Sequence, residues 1–235
     1  MADSTDNRPV FFFDIDNCLY PRSTRILNIM SDLIDNYFQT HLSLPASEAT
    51  ALHMKYYQSY GLAIEGLVRH HQVDALDFNS KVDDAIPLES ILSPNPQLQA
   101  FLASFDPRKV KLWLLTNAHV THGKRVVRLL GVDRFFEGIT YCDYAEAGTK
   151  GRLLAKPERG MWEKAMREAG VQKVEDCYFV DDSYINAKGA TQMGWNAIHF
   201  VERELDLPDP PASPYRIRDL EEIRNVFPQF FKEEV

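Results

Sequence analysis

Short runs of apolar residues, each bounded by polar residues, recur along this chain and predict buried strands. The first run ends abruptly at Asp14, and the others lie after residue 109. A short, entirely apolar run is typical of a strand that is covered on both faces of a parallel sheet. The predicted strands are Val10–Phe13, Val110–Leu115, Ile139–Cys142, Cys177–Val180 and Ala197–Val201.

Helical patterns separate these later strands. Val120–Leu130, Arg159–Ala169 and Ile185–Met193 carry apolar residues at helical spacing, and a glycine follows each of them, as is common just past a helix end. A last amphipathic helix is predicted after the proline-rich stretch that ends at Pro214. Strands that alternate with helices of about ten residues predict an α/β fold with a Rossmann-like parallel sheet.

The stretch between the first two predicted strands has helical spacing and no strand signal. Apolar residues from Ile26 to Phe38 recur on one helical face, and helical spacing continues to His71. Ser93–Pro96 contains two prolines and predicts a linker back to the sheet. We therefore expect a helical cap domain, residues 21–93, inserted into a core domain made of residues 1–20 and 94–235.

Composition and charge exclude several classes of protein. The 235 residues include 26 Lys and Arg against 34 Asp and Glu, a net charge of −8, so the basic surface of a nucleic-acid-binding protein is not expected. The apolar runs are too short to span a bilayer, and Met1–Pro9 does not resemble a signal or transit peptide. Cys18, Cys142 and Cys177 lack C-x-x-C spacing, so we expect buried free thiols. These features predict an intracellular protein, cytoplasmic with the nucleus left open, whose partners are neither nucleic-acid polymers nor membranes.

Two acidic residues stand directly after the first predicted strand. Ligands bind at the carboxyl ends of strands in open α/β sheets, so Asp14 and Asp16 are candidates for a nucleophile, an acid/base group or metal ligands. A solvated turn is the alternative, because D-x-D is short and common. Thr116 and Asn117 follow the second strand, where a hydroxyl and backbone N–H groups could bind an anion. Taken alone, that pair is more simply a helix N-cap.

Lys156 and the pair Asp181-Asp182 complete the candidate set. Pro157 predicts a turn that could direct Lys156 toward the site, although most lysines are simply exposed. Adjacent carboxylates at the end of an apolar strand repel each other, and a bound cation would relieve the repulsion. The alternative for Asp181 and Asp182 is a hydrogen-bonded turn that begins a helix near Ser183.

The order of these signals, D-x-D, Thr, Lys and Asp-Asp, each at a strand end, resembles the haloacid dehalogenase superfamily of phosphatases. The resemblance implies that Asp14 is a nucleophile that forms an aspartyl-phosphate, and that Asp16 is the acid/base group for the leaving group and water. It also implies that Thr116 and the N–H of Asn117 bind the phosphoryl oxygens. Lys156 would balance charge in such a site.

The resemblance further implies a Mg²⁺ ion beside Asp14, Asp181 and the backbone carbonyl of Asp16, with Asp182 as a second or water-mediated ligand. A charge argument agrees. A phosphate dianion would meet three carboxylates here, with Asp16 taken as protonated, and each like-charge pair at about 4 Å costs about 4 kcal/mol at an effective dielectric constant near 20. Lys156 alone cannot offset several such terms, whereas a hard divalent cation can.

Longer motifs resemble a narrower group, the fungal and plant pyrimidine 5′-nucleotidases, over roughly residues 11–201. In that group the helical insertion is a cap that closes over the phosphate site. Cys18 departs from the Thr that usually follows the D-x-D. The motifs are Asp14-Ile-Asp-Asn-Cys-Leu-Tyr20, Tyr56-Tyr-Gln-Ser-Tyr-Gly-Leu62 with Gly66-Leu67, Thr116-Asn-Ala118 with His122 and Arg125, Tyr141-Cys-Asp-Tyr144, and Phe179-Val-Asp-Asp-Ser183 with Asn186.

Aromatic and histidine residues of the insertion are weaker candidates for substrate contact. Tyr56, Tyr57 and Tyr60 could stack on a base, although tyrosines at helical spacing more often form the core of a helical unit. His70 and His71 are expected to pack within the insertion or to lie at its surface.

The predicted activity is Mg²⁺-dependent hydrolysis of a small phosphomonoester. The resemblance implies pyrimidine nucleoside 5′-monophosphates such as UMP and CMP, and pyridoxal phosphate, nicotinamide mononucleotide, a sugar phosphate or a lysophospholipid are alternative substrates. A dehalogenase and a non-catalytic regulatory protein are less favoured, because neither would use the metal carboxylates and the complete set of motifs. The oligomeric state stays open, and a monomer is compatible with the sequence.

Overall fold

The computed structural model describes residues 6–147 and 151–233, which form a sheet of six parallel strands with helices packed against it. The strands are β1 (Val10–Phe13), β2 (Lys111–Leu115), β3 (Gly138–Thr140), β4 (Cys177–Asp181), β5 (Asn196–Phe200) and β6 (Tyr215–Ile217). Their order in the sheet is β3-β2-β1-β4-β5-β6, so the winding of the chain reverses at the central strand β1. This is the Rossmann-like arrangement that the sequence predicts.

The central strand shows why the first apolar run is uninterrupted. β2 and β4 flank β1, and all four of its residues are completely buried. Phe11 and Phe13 pack into one apolar cluster, whereas Val10 and Phe12 pack into another, because successive strand residues face opposite sides of a sheet. Both faces of the sheet are therefore covered, as in other parallel sheets.

Two strands differ from the sequence prediction by more than one residue at an end. β3 begins and ends earlier than the predicted Ile139–Cys142, because Cys142 has already left the sheet to pack with the helical insertion. Gly138 starts β3 where a side chain would collide with the ring of Trp113, 2.2 Å from a Cβ placed there. β6 was not predicted, since Tyr215 and its successor are exposed at the edge of the sheet and produce no apolar run.

The helices of the second half agree with the predicted bounds to within one residue. Gly131 and Gly170 follow the helices Val120–Leu130 and Arg159–Ala169 with φ angles of 71° and 72°, which glycine adopts more readily than other residues. The helices are α1 (Ile26–Leu42), α2 (Ala46–Tyr60), α3 (Ala63–His71), α4 (Ala75–Lys81), α5 (Leu88–Ile91), α6 (Pro96–Ala103), α7 (Val120–Leu130), α8 (Arg159–Ala169), α9 (Tyr184–Gln192) and α10 (Ile223–Val226).

Helices α1 to α5 form the insertion between β1 and β2, and they share apolar contacts with the rest of the molecule. The insertion's cluster includes Phe38 and Phe78, and the same cluster contains Cys142 and Tyr144 from the loop after β3. At the other end of the insertion, Leu88 packs into the cluster that covers one face of the sheet. The insertion is thereby anchored over the carboxyl ends of the strands.

Cys18, Cys142 and Cys177 are buried free thiols. Among the described residues, no helix combines the length and apolar character needed to cross a membrane.

Candidate active site

A cavity of about 650 Å³ lies between the carboxyl edge of the sheet and the helical insertion. Asp14 follows β1, Thr116 follows β2, and Asp181 is the last residue of β4. These strands are neighbours in the sheet, so residues far apart in the sequence meet at one edge. All seven residues singled out in the sequence line the cavity: Asp14, Asp16, Thr116, Asn117, Lys156, Asp181 and Asp182.

Lys156 is the cation at the floor of the cavity, although only 1% of its surface is exposed. Its Nζ donates to Asp14 Oδ1 at 2.6 Å, to Asp181 Oδ2 at 2.7 Å and to the carbonyl of Leu115 at 2.8 Å. Burial alone would lower the pKa of the amine, but the two carboxylates outweigh burial and raise it. Lys156 therefore remains charged and ties together the ends of β1, β2 and β4.

The loop after β2 both fixes Lys156 and presents donors to the cavity. The Asn117 side chain donates to the Lys156 carbonyl at 2.9 Å and accepts from the Lys156 N–H at 2.7 Å. The backbone N–H of Asn117 donates to no group in the described part of the chain. Thr116 Oγ1 accepts from the N–H of Ala118 at 3.0 Å, which leaves its own proton available. A hydroxyl and an N–H are thus available to an anion.

Asp181 and Asp182 are adjacent in sequence but have different surroundings. Asp181 is completely buried and accepts from the N–H of Ser183 at 2.7 Å and from Asn186 Nδ2 at 3.2 and 3.3 Å. Asp182 is less buried and forms an ion pair with Arg22, which lies where the chain enters the insertion. Asp181 is therefore part of the rigid floor, and Asp182 connects the end of β4 to the insertion.

Three carboxylates could hold a cation in this cavity. One oxygen from each of Asp14, Asp181 and Asp182 lies within 4.8 Å of the other two. Burial raises the pKa of Asp14 well above its ordinary value despite Lys156, and burial together with Asp181 raises the pKa of Asp182 to about 7. These raised pKa values show that ionising the carboxylates together costs free energy in the metal-free site. A hard divalent cation would offset this cost, and carboxylate oxygens are donors that fit such an ion.

Asp16 lines the same cavity but its carboxylate is not part of that group of three. Its Oδ1 accepts from Tyr20 OH at 2.6 Å and from His122 Nε2 at 2.7 Å. Burial would raise the pKa of Asp16, but the charge and hydrogen bond of His122 and the bond from Tyr20 outweigh burial and lower it. The charge argument from the sequence takes Asp16 as protonated and does not include His122, so the protonation of Asp16 with a phosphate dianion bound stays a prediction.

A family model of the haloacid dehalogenase-like hydrolases matches residues 9–194, which include every residue of the site described above. The chain belongs to the haloacid dehalogenase-like hydrolases. The superfamily predicted from the order of the motifs is confirmed, and the chain shares its fold with solved structures of HAD proteins.

Other proteins resemble this hydrolase over most of its length. Phosphate metabolism protein 8 of Saccharomyces cerevisiae is 36% identical over 208 residues, covering 86% of this chain and 64% of that protein, so the hydrolase spans less than two thirds of the relative's length. The HAD phosphatase of Thermococcus onnurineus is 18% identical with a TM-score of 0.61, covering 95% of this chain and 100% of that one. The HAD-hydrolase YfnB of Bacillus subtilis, solved with magnesium bound, is 14% identical with a TM-score of 0.61, at 94% and 99% coverage.

Sequence reasoning assigned no role to several residues that contact the site, although Tyr20 and His122 stand in the motifs of the family resemblance. Tyr20 and His122 bind Asp16, Arg22 pairs with Asp182, and Asp83 of the insertion lines the cavity. Apart from those motifs, only His122 had a readable signal, since it is an ionisable residue on the apolar face of α7, one helical turn before Val126. The others have no local pattern, because their partners lie on different elements.

The three tyrosines of α2 differ in whether they line the cavity. Tyr56 is buried with its hydroxyl 2.7 Å from His71 Nε2, and the Tyr60 hydroxyl lies 2.7 Å from His70 Nε2. Tyr57 is 49% exposed and lines the cavity of the hydrolase. His70 and His71 therefore lie at the exposed surface of the insertion in contact with Tyr60 and Tyr56, and Tyr57 is the tyrosine of this helix that faces the site.

Proposed function

We propose that this hydrolase is a Mg²⁺-dependent phosphomonoesterase that acts on nucleoside 5′-monophosphates, with pyrimidine nucleotides such as UMP and CMP as its substrates. The observation that carries the proposal is the Asp14 carboxylate, which lies at the centre of the strand ends, within 2.6 Å of a charged Lys156 and beside free donors on Thr116 and Asn117. A nucleophilic oxygen next to an anion-binding loop suits phosphoryl transfer.

In the proposed reaction an Asp14 oxygen forms a bond to phosphorus while the bond from phosphorus to the ribose oxygen breaks. Asp16 lies on the same strand end. In the substrate complex, where the phosphate dianion favours the neutral carboxyl, Asp16 carries a proton and passes it to the departing ribose oxygen. A water then attacks the aspartyl-phosphate and gives its proton to Asp16, which releases inorganic phosphate and restores Asp14. Thr116 and the Asn117 N–H hold the phosphoryl oxygens through both steps, and Lys156 keeps Asp14 oriented.

Mg²⁺ is the cofactor we propose, with Asp14 and Asp181 as ligands together with the backbone carbonyl of Asp16. Asp182 would bind it directly or through water. The ion would offset the repulsion between the substrate dianion and these carboxylates. The magnesium-bound structure of the related Bacillus subtilis protein supports this choice.

The rim of the cavity supports a substrate with a flat apolar part. Within the described chain, eight large apolar side chains are exposed, and three of them, Leu27, Tyr57 and Ile185, line this one cavity. Gln58 lies beside Tyr57 and offers both a donor and an acceptor, as a pyrimidine edge requires. A cavity of about 650 Å³ is in the range of small-molecule sites, and a nucleoside monophosphate falls within that class.

Phosphate release from a panel of phosphomonoesters, with Mg²⁺ or with a chelator, tests the proposal. We expect UMP and CMP to give the highest kcat/KM, all turnover to require Mg²⁺, and Asp14→Asn to abolish it. Asp106→Asn is the matched control, since Asp106 is also buried but contacts Arg108 away from the cavity.

Each outcome of the panel decides between substrates. A preference for pyridoxal phosphate, nicotinamide mononucleotide, a sugar phosphate or a lysophospholipid would replace the nucleotide assignment and keep the chemistry. Turnover of a 2-haloacid without Mg²⁺, or no turnover of any phosphomonoester, would overturn the phosphomonoesterase itself.

A further inference from the structure

The two oxygens of the Asp16 carboxylate have unequal surroundings. Both hydrogen bonds, from Tyr20 and from His122, fall on Oδ1. In the described part of the chain no group donates to Oδ2, and Asp16 lines the cavity. Oδ2 is therefore the oxygen left to exchange a proton with a substrate. The orientation of Oδ2 toward the substrate depends on how firmly Oδ1 is held.

His122 holds Oδ1 from a fully buried position in the third residue of α7. Its Nε2 lies 2.7 Å from Asp16 Oδ1, while its Nδ1 is buried without a hydrogen-bond partner. A buried imidazole with one unpaired nitrogen is costly for folding, and an apolar residue would pack on this face of α7 without that cost. Packing alone therefore does not account for a histidine at this position.

Asp83 of the insertion lies close enough to His122 for its charge to raise the pKa of the imidazole. Only 3% of its surface is exposed, and its Oδ2, like His122 Nδ1, is buried without a partner. The neighbouring residue Asp84 is bound to α7, through its carboxylate by Thr121 at 3.0 Å and through its carbonyl by Arg125 at 3.2 Å. The position of Asp83 relative to His122 is thus set by the attachment of the insertion to α7.

We propose that His122 is a positioning residue that fixes the Asp16 carboxyl through Nε2, and that the Asp83 carboxylate of the insertion stabilises the imidazole through its charge. The inference rests on the proposed phosphomonoesterase activity and adds to it a link between the insertion and the acid/base group. His122 need not touch the substrate, since it acts through Asp16.

The proposal predicts a dependence on the leaving group. As the phosphorus–oxygen bond to an alcohol breaks, the alcohol oxygen must take the proton of Asp16, whereas p-nitrophenolate leaves without protonation. An Asp16 that is no longer held should therefore fail with UMP and still work with p-nitrophenyl phosphate. The ratio of the two kcat/KM values isolates this step, because kcat/KM covers only the events up to departure of the leaving group.

The variants are His122→Leu, which removes the donor, and His122→Gln, whose amide can replace Nε2–H. With saturating Mg²⁺ we expect His122→Leu to lower kcat/KM for UMP on the order of 100-fold and for p-nitrophenyl phosphate less than tenfold. His122→Gln should recover at least tenfold of the loss with UMP. Val126→Ala, at a buried position one turn later on α7, controls for loosening of the helix and should leave the ratio unchanged.

Asp83→Asn tests the second half of the proposal. It should lower kcat/KM for UMP in the native background and have no further effect when combined with His122→Leu. Equal losses on both substrates, or no recovery in His122→Gln, would overturn the positioning role, and independent effects in the double variant would remove Asp83 from it. If the native protein hydrolyses neither substrate, it is the proposed function that fails.

Discussion

Lys156 illustrates how the tertiary structure decides the chemistry of a single residue. In the sequence it is one lysine before a proline, and most lysines are exposed. In the fold it is buried and saturated by Asp14, Asp181 and a carbonyl, and burying this charge is tolerable because all three protons have acceptors. The sequence order could suggest its role only through the family resemblance.

The Asn117 side chain holds the backbone of Lys156 in place. Asn117→Ala removes two hydrogen bonds to the Lys156 backbone, so we expect a loss of about 1–3 kcal/mol in the free energy of unfolding and a fall of about tenfold or more in kcat/KM. Urea denaturation and steady-state kinetics measure both quantities.

Asn196→Ala is the matched control for Asn117. The Asn196 side chain also makes two hydrogen bonds to the backbone, both of them donated to carbonyls, at 2.8 and 3.3 Å. Asn196 lies at the edge of the sheet opposite the cavity. It should lose stability without losing activity. Equal losses of activity in both variants would show that Asn117 matters only for folding.

Tyr57 carries the prediction about the nucleobase. Stacking on an aromatic ring contributes about 1–3 kcal/mol per base, so Tyr57→Ala should raise KM for UMP roughly tenfold and leave KM for ribose 5-phosphate nearly unchanged. Tyr57→Phe keeps the ring and should behave like the native protein. Tyr60→Phe should do so too, because the native Tyr60 hydroxyl contacts His70. A rise in KM that is the same for both substrates would rule out contact with the base.

At the scale of elements, α7 connects the core to the insertion. Its apolar face packs Val126 and Val127 against the sheet and also turns His122 toward Asp16. Its polar face carries Arg125, which donates to the carbonyls of Asp84 and Ile86. One amphipathic helix therefore serves packing, the acid/base group and the attachment of the insertion.

Arg125→Ala tests the attachment of the insertion. It removes charge-assisted bonds to two carbonyls and an ion pair with Glu89, so we expect a loss of about 1–3 kcal/mol in the free energy of unfolding. Hydrogen exchange of backbone amides in residues 82–92 should speed up, as measured by mass spectrometry.

Arg159→Ala is the control for Arg125. Arg159 pairs with Glu163 on the surface of α8, where both side chains are largely exposed, and such pairs contribute about 0.5 kcal/mol or less. Exchange in residues 82–92 should be unchanged in this variant. If Arg125→Ala also leaves that exchange unchanged, the attachment does not depend on Arg125.

At the scale of the whole molecule, the acidic cluster links stability to pH and metal. Burial raises the pKa of Asp14, and raises that of Asp182 to about 7, so the metal-free folded state binds protons more tightly than the unfolded state. This contribution to stability is fully present below the ordinary pKa of 3.8 and is lost as the pH rises through about 7.

Mg²⁺ competes with those protons, which gives a prediction for thermal unfolding. The rise in Tm caused by Mg²⁺ should be larger at pH 8 than at pH 6, because at pH 6 the ion must displace protons from the carboxylates. Asp181→Asn should remove most of the rise, and Asp106→Asn should keep it. An equal rise at both pH values would show that these carboxylates do not bind the ion.

Local pattern was enough to predict the elements and the places where chemistry-bearing residues stand. The apolar runs and the glycines after the helices depend on spacing within one element, so they could be read without knowing the fold, as Val120–Leu130 shows. Asp14, Thr116 and Asp181 were predicted because each stands at the end of a strand. β6 was missed because an exposed edge strand carries no apolar run.

The tertiary structure alone decided how those residues act on one another. The contact between Lys156 and Asp14 spans 142 positions in the sequence, and the contact between Asp16 and His122 spans 106. Packing between segments that are distant in the sequence decides the burial and the charge state of each side chain. It makes Lys156 a buried cation, lowers the pKa of Asp16 and leaves Tyr57 facing the cavity. The sequence by itself determined the strand ends and the residues on them; packing between distant segments decided which of those residues touch.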